Sequence, residues 1–153
     1  RGFCLSRGLG DVYKRQLHLE AAIASVHAAA PSFGDTDWQM LTHHYLLLEE
    51  LKPTPIVALN AAIVAAQAQG AQAGLERLEA LAGARKLSGY APYHAARGDL
   101  LAKLGRPQEA GEAFARAISC PLNEAERAHL ERRLRECGAL APLAGEAGTS
   151  EVR

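Results

Sequence analysis

From Leu17 onward, apolar residues recur every three or four positions in short phrases set off by Gly and Pro, the spacing of one buried helical face. The first phrase, 17–30, aligns Leu19, Ile23, Val26 and Ala30, and Pro31 stops it. A second helix opens near Asp37, where Thr36 and Gln39 form a capping-box signature. It repeats Trp38, Leu41, Tyr45 and Leu48 until Lys52-Pro53, because a residue before proline is steered out of the helical region. A third has Thr54 as N-cap and Pro55 at its first position, a stripe of Ile56, Leu59, Ile63 and Ala66, and Gly70 as a left-handed exit. Leu75, Leu78 and Leu81 mark a fourth over 71–81, followed by a loop with Gly83, Ser88 and Gly89. The fifth carries Tyr93, Ala96, Leu100, Leu101 and Leu104 and ends at Gly105. The sixth runs from Pro107 towards Pro121 with Ala110, Phe114 and Ala117. The seventh is capped by Asn123 with Glu126, shows Ala125, Leu130, Leu134 and Cys137, and ends at Gly138. Val and Ile stand isolated among residues that favour helix, so no strand is expected.

Gly70 and Gly105 lie 35 residues apart, close to the period of about 34 residues of tetratricopeptide repeats. The better unit is 94–121, in which Gly98, Leu101, Gly105, Ala110, Phe114, Ala117 and Pro121 follow that pattern. Small residues at Gly98, Ala110 and Ala117 let two antiparallel helices approach, and Phe114 fills the space between them. The preceding unit, 54–81, keeps the rhythm but has Glu79 where the aromatic would fall. The expected fold is therefore all-α: stacked antiparallel helical hairpins in a tetratricopeptide-like right-handed superhelical array of about seven helices. Such hairpins need each other's faces to stay folded.

The ends read differently. Residues 1–16 show neither helical nor strand periodicity, and Ser6 to Gln16 resembles translated sequencing-library adapter, ending Asp-Val-Tyr-Lys-Arg-Gln. They are expected to be a non-native, disordered leader, so Cys4, Arg7, Lys14 and Arg15 are not read as a nucleic-acid patch. Residues 139–153 turn to Ala, Gly, Pro, Ser and Thr, too little apolar surface to offset ordering entropy. A disordered tail is expected there, leaving 17–138 as the helical domain.

Composition narrows the function. Lys plus Arg equals Asp plus Glu, 17 each, for a formal net charge of zero, whereas duplex-binding modules usually carry a basic surplus. Three scattered cysteines, Cys4, Cys120 and Cys137, make no disulfide framework, which points to a reducing, cytoplasmic setting. No apolar run approaches the roughly 20 residues that span a bilayer, so no membrane role is expected.

No constellation of catalytic or metal-binding residues stands out, so neither an enzyme, a cofactor nor a metal is expected. His43 and His44 are adjacent, which turns them about 100° apart on a helix; they do not share a ligand face as an i, i+4 pair would. His27 suits the negative end of the first helix. Cys120 and Cys137 read as small buried residues. Gly105-Arg-Pro-Gln lacks the Gly-Lys-Ser/Thr ending of a phosphate loop. Asp35, Thr36 and Asp37 read as cap and turn formers. Charges of alternating sign from Glu124 to Glu136 suit either a solvated face or a docking face for a partner. Arg97 and Asp99 diverge by about 200° on the fifth helix, so one can line a groove while the other anchors a neighbouring helix.

Several phrases together resemble the long helical C-terminal extension of extracytoplasmic-function sigma-70 family sigma factors. They are Leu19-Glu-Ala-Ala-Ile-Ala-Ser-Val-His27, Asp35-Thr-Asp-Trp38, Pro55-Ile-Val-Ala-Leu-Asn60, Gly89-Tyr90, Ala95-Ala-Arg97, Asp99-Leu-Leu101, Leu104-Gly-Arg106 and Asn123-Glu-Ala-Glu-Arg127. The resemblance covers roughly 17–134. Ala61 stands where the family commonly has Arg, and Ala91-Pro-Tyr-His94 differs from the family's more apolar phrase. The resemblance implies a regulatory, protein-binding role in transcription initiation. Partners would be the sigma domains of the parent chain, core RNA polymerase or a regulator, with promoter DNA reached only through N-terminal domains outside this chain and no small-molecule substrate. Candidate contact residues are Asn60, Arg97, Asp99, Arg127 and Arg133. The alternative is a free-standing tetratricopeptide-like adaptor with no transcriptional role.

Overall fold

The computed structural model describes residues 3–145, with side chains described over 10–138. Among these the chain is all-helical: α1 (Phe3–Ala29), α2 (Trp38–Leu51), α3 (Pro55–Gln69), α4 (Ala71–Glu79), α5 (Ala91–Lys103), α6 (Pro107–Ile118) and α7 (Glu124–Gly145), with a short 3-10 turn over Phe33–Asp35 before α2. The chain divides into two compact units, Arg1–Arg77 and Leu78–Arg153, where the sequence alone suggests one domain over 17–138.

In the first unit α1 packs on α2 and α2 on α3, burying Ile23, Leu41, Leu48, Val57 and Val64, with Leu19, Val26, Trp38 and Tyr45 packed around them. The α1 and α2 stripes fall where their spacing puts them. The α3 stripe does not: Ile56 is exposed and Ile63 half-buried, while Val57, Ala61, Ala62, Val64 and Ala65 are buried beside Leu59 and Ala66. This helix is apolar on nearly every side, so periodicity offers several equivalent stripes and the alanine-rich face, which permits close approach, is the one covered. Gly74 of α4 explains that choice. A methyl group on it would lie 2.9 Å from the Ala66 Cα and 3.0 Å from the Ala62 carbonyl oxygen, so the two backbones meet directly.

The second unit packs α5 on α6 and α6 on α7. Phe114 is fully buried with its ring on Gly98, where a Cβ would come within 2.7–2.9 Å of three ring carbons. Leu100, Leu101, Ala110, Ala113, Ala117, Leu130 and Cys137 complete the interior. Leu87, in the connection between α4 and α5, is also buried at 1% exposure, although no periodic pattern marks it. Ala125, expected on the buried face of α7, is exposed.

Cap chemistry sets several boundaries. Asp37, rather than Thr36, caps α2: its carboxylate accepts from the Met40 amide at 2.9 Å while Thr36 is buried behind it. The Asp37 oxygen reaches the third helical amide of a helix that starts at Trp38, as an N-cap must. Thr54 caps α3 by accepting from the Val57 amide, with Pro55 first in the helix. Asn123 and Glu126 form a reciprocal box before and within α7, at 2.9 and 2.8 Å. Gly70 ends α3 at φ 101°, ψ 162°, outside the left-handed helical region but in territory that only glycine occupies freely. Gly105, at φ 72°, closes α5 in a Schellman arrangement, with the Arg106 amide donating to the Leu101 carbonyl and the Gly105 amide to Ala102. Asp37→Ala should cost about 1 kcal/mol, read as a lower urea midpoint, while Thr36→Ser leaves the cap intact. If Asp37→Ala left the midpoint unchanged, the cap assignment would be wrong.

Two ends depart from expectation. The segment 3–16 is not irregular: it continues α1 backward as helix. Helix propagation is cheap once a packed stripe such as Leu19–Val26 has nucleated it, and Gly10 to Arg15 are exposed, so this extension adds no core. At the other end α7 runs through Gly138 to Gly145. A glycine costs about 1 kcal/mol in a helix but does not end one followed by Ala139, Leu140 and Ala141. Residues 146–153 of the expected tail lie outside the described residues. Among the described residues no helix is long and apolar enough to cross a membrane.

Candidate functional site

The second unit contains a cavity of about 450 Å³ built on the α5–α6 hairpin. The end of α4 supplies Glu79, the following connection Ala82 and Ser88, α5 supplies Tyr93, His94 and Arg97, and α6 supplies Arg116 and Ser119. The i, i+3 and i, i+4 spacing of His94, Tyr93 and Arg97 places all three on one face of α5, and Arg116 and Ser119 are one turn apart on α6.

The floor is buried: Tyr93 and His94 are 6% and 8% exposed. The Tyr93 hydroxyl donates to the Leu78 carbonyl at 3.3 Å. His94 Nε2 lies 2.8 Å from the Ser88 carbonyl oxygen, an atom that only accepts, so Nε2 carries its proton. The rim is charged, with Nη2 of the half-buried Arg97 3.3 Å from Oε1 of the exposed Glu79. Arg116 has no ion-pair partner among the described residues and is exposed. Burial pushes the Tyr93 hydroxyl pKa above its ordinary value. Arg97 pulls it back, Glu79 pushes it further up, and Arg116 pulls it down. Both guanidiniums therefore act on the floor of the cavity. Removing the hydroxyl with Tyr93→Phe should cost about 1 kcal/mol by deleting one of the two hydrogen bonds to the Leu78 carbonyl, which keeps the Leu81 amide at 3.0 Å. A thermal midpoint identical to the parent's would show that this bond contributes nothing.

The five candidate contact residues are dispersed. Arg97 lines the cavity. Asp99, the other member of the diverging pair, turns to α7: Arg133 donates to its Oδ1 from Nε at 3.1 Å and from Nη2 at 2.8 Å. Arg133 also reaches Glu136 at 2.6 Å and lies 5.4 Å from the Phe114 ring centroid. Asp99 and Arg133 thus clamp α5 to α7 across the Phe114 ring. Arg127 is exposed and donates to the Ile118 carbonyl at 3.3 Å, bracing the turn between α6 and α7. Asn60 is exposed on α3, in the first unit.

Sequence reasoning missed Glu79, Tyr93, His94 and Arg116 as neighbours of Arg97. The signal for two of them was present, since Tyr93 and His94 share the helical face of Arg97. Glu79 and Arg116 come from other elements, and only the folded hairpin brings them there. His43 and His44 are not part of this cavity; their rings sit edge to face at 6.0 Å on α2.

No family model matches the chain. It is similar to an uncharacterized protein of Rhizobium meliloti (strain 1021), 42% identical over 116 residues, which are 76% of this chain and 27% of the relative. Since 116 residues are 27% of it, that relative is about 430 residues long; the chain spans about a quarter of its length.

Proposed function

We propose that this chain is the helical, protein-binding part of an extracytoplasmic-function sigma factor, regulating transcription initiation in the cytoplasm by docking on another protein and without catalysis of its own. The observation that carries the reading is the α5–α6 hairpin. Phe114 locks onto Gly98 on its inner side, and an open, charged cavity with a buried Tyr93–His94 floor lies beside it. Rigid helical hairpins of this kind present surfaces for other chains. The ordered phrases from Leu19 to Arg127 that resemble sigma-factor extensions support the transcriptional assignment. So does a relative of about 430 residues, which has room for further domains of ordinary size. The balance of 17 basic and 17 acidic residues argues that promoter contacts would belong to such domains.

The test is to recover the full reading frame of the gene, express the region encoded before residue 17, and measure its binding to this chain. A sigma-type helix-turn-helix region that binds this chain supports the proposal. A frame encoding no such region favours an adaptor without a transcriptional role. This chain alone should show negligible affinity for promoter duplex at moderate salt; tight, salt-sensitive duplex binding would overturn the placement of DNA reading elsewhere.

A further inference from the structure

We propose that the cavity of the Leu78–Arg153 unit receives a single side-chain carboxylate from an acidic segment of the protein partner. This rests on the reading of the chain as a protein-binding domain and adds the chemistry of what it binds.

The donors in the cavity narrow the choice. Tyr93 donates its hydroxyl hydrogen to the Leu78 carbonyl and His94 Nε2 donates to Ser88. The Ser88 and Ser119 hydroxyls donate to the Arg85 and Arg116 carbonyls at 2.8 and 2.7 Å. Those four groups have spent these hydrogens within the unit. The guanidiniums of Arg97 and Arg116 retain uncommitted N–H groups, since each has five. Arg97 meets Glu79 at one 3.3 Å contact, longer than the roughly 2.7–2.9 Å of a tight charge-assisted bond. The donors left free in the site are N–H groups on cations, and these favour a ligand that accepts and carries negative charge.

The charge balance sets its valence. Among the cavity-lining residues Arg97 and Arg116 are positive and Glu79 is negative, a surplus of one. A carboxylate neutralises that surplus; a phosphate, at a charge of about −1.5 to −2 near neutral pH, overshoots it beside Glu79. The shape favours a chain over a free small acid. The volume of about 450 Å³ lies within the range of ligand sites, about 300–1,000 Å³. Glu79, Ala82, Ser88, Arg116 and Ser119 on the rim are all exposed, so a peptide can cross the opening and drop one side chain towards Tyr93.

The experiment is fluorescence anisotropy on the whole chain with a dye-labelled Gly-Ser-Glu-Glu-Asp-Ser-Gly peptide, its Gln/Gln/Asn counterpart, and inorganic phosphate as competitor. The acidic peptide should bind and the amide peptide should not. Arg116→Gln, an exposed change, should weaken binding about tenfold or more, the size of one lost charge-assisted hydrogen bond, with an unchanged circular dichroism spectrum. Glu79→Gln should tighten binding, and Arg135→Gln, exposed on α7, should leave it unchanged. Equal binding of the amide peptide, equal weakening by Arg135→Gln and Arg116→Gln, or displacement of the peptide by phosphate at matched concentration would each overturn the proposal, as would no binding. If the acidic peptide fails while the chain still binds its sigma region, this inference falls and the proposed function stands. If the peptide binds as expected and no sigma region exists, the reverse holds.

Discussion

Phe114→Ala should lower the unfolding free energy of the Leu78–Arg153 unit by about 3–5 kcal/mol, the range for deleting a buried aromatic ring. The ring is fully buried and occupies the space that Gly98 leaves open, with its carbons 2.7–2.9 Å from where a Cβ would stand. Its removal opens a cavity in the interior shared by α5, α6 and α7, the helices that pack in sequence there. The space cannot easily close, because Asp99 and Arg133 fix the distance between α5 and α7 through two hydrogen bonds. Arg133, 5.4 Å from the ring centroid, also loses its aromatic neighbour. That contact is part of the loss, and it should be coupled: Phe114→Ala combined with Arg133→Met should cost less than the two single changes added together. Urea unfolding followed by circular dichroism measures all three. A Phe114→Ala loss below about 1 kcal/mol, typical of a surface change, would mean that the ring does not seal the hairpin.

Gly74→Ala and Gly138→Ala should move stability in opposite directions, although both lie inside helices. Replacing a mid-helix glycine by alanine alone gains roughly 0.5–1 kcal/mol by reducing backbone entropy loss. Gly138 on α7 has nothing within 4 Å of its would-be Cβ, so Gly138→Ala should show that gain. At Gly74 the methyl would meet the Ala66 Cα at 2.9 Å and the Ala62 carbonyl oxygen at 3.0 Å. These are backbone atoms and cannot rotate away, so α3 and α4 must part. Such overpacking costs about 1–3 kcal/mol, enough to outweigh the propensity gain, and Gly74→Ala should lower the thermal midpoint. A shift of the same sign at both positions would dismiss the backbone contact between α3 and α4.

The candidate site was legible only in part, for a reason visible in its members. Arg97 and Asp99 could be separated by helical geometry alone, because two residues on one helix have a fixed angle between them. Which of them lines a cavity and which braces α7 depends on Arg133, 34 residues from Asp99 along the chain. Glu79 and Arg116 bear no periodic relation to Arg97, so no spacing rule could have joined them. Thr36 misled for a different reason: Thr36 and Asp37 are both good cap formers, and a backbone offset of one residue decides between them.

Local sequence determined most of the helical segments, the proline starts at Pro55 and Pro107, the glycine stops at Gly70 and Gly105, the Asn123–Glu126 box, and the faces of α1, α2, α5 and α6. Each depends on neighbours within about one helical turn, where side-chain spacing and cap hydrogen bonding act directly on the backbone. Tertiary structure decided which side of the apolar α3 is covered, that Leu87 is buried outside any helix, that the chain forms two compact units, and that a charged cavity assembles from α4, α5 and α6. Those outcomes depend on the volume and charge of residues distant in sequence. Close approach at Gly74 and Gly98 reflects which other helix arrives opposite them, and a pattern read along one chain segment carries no record of that.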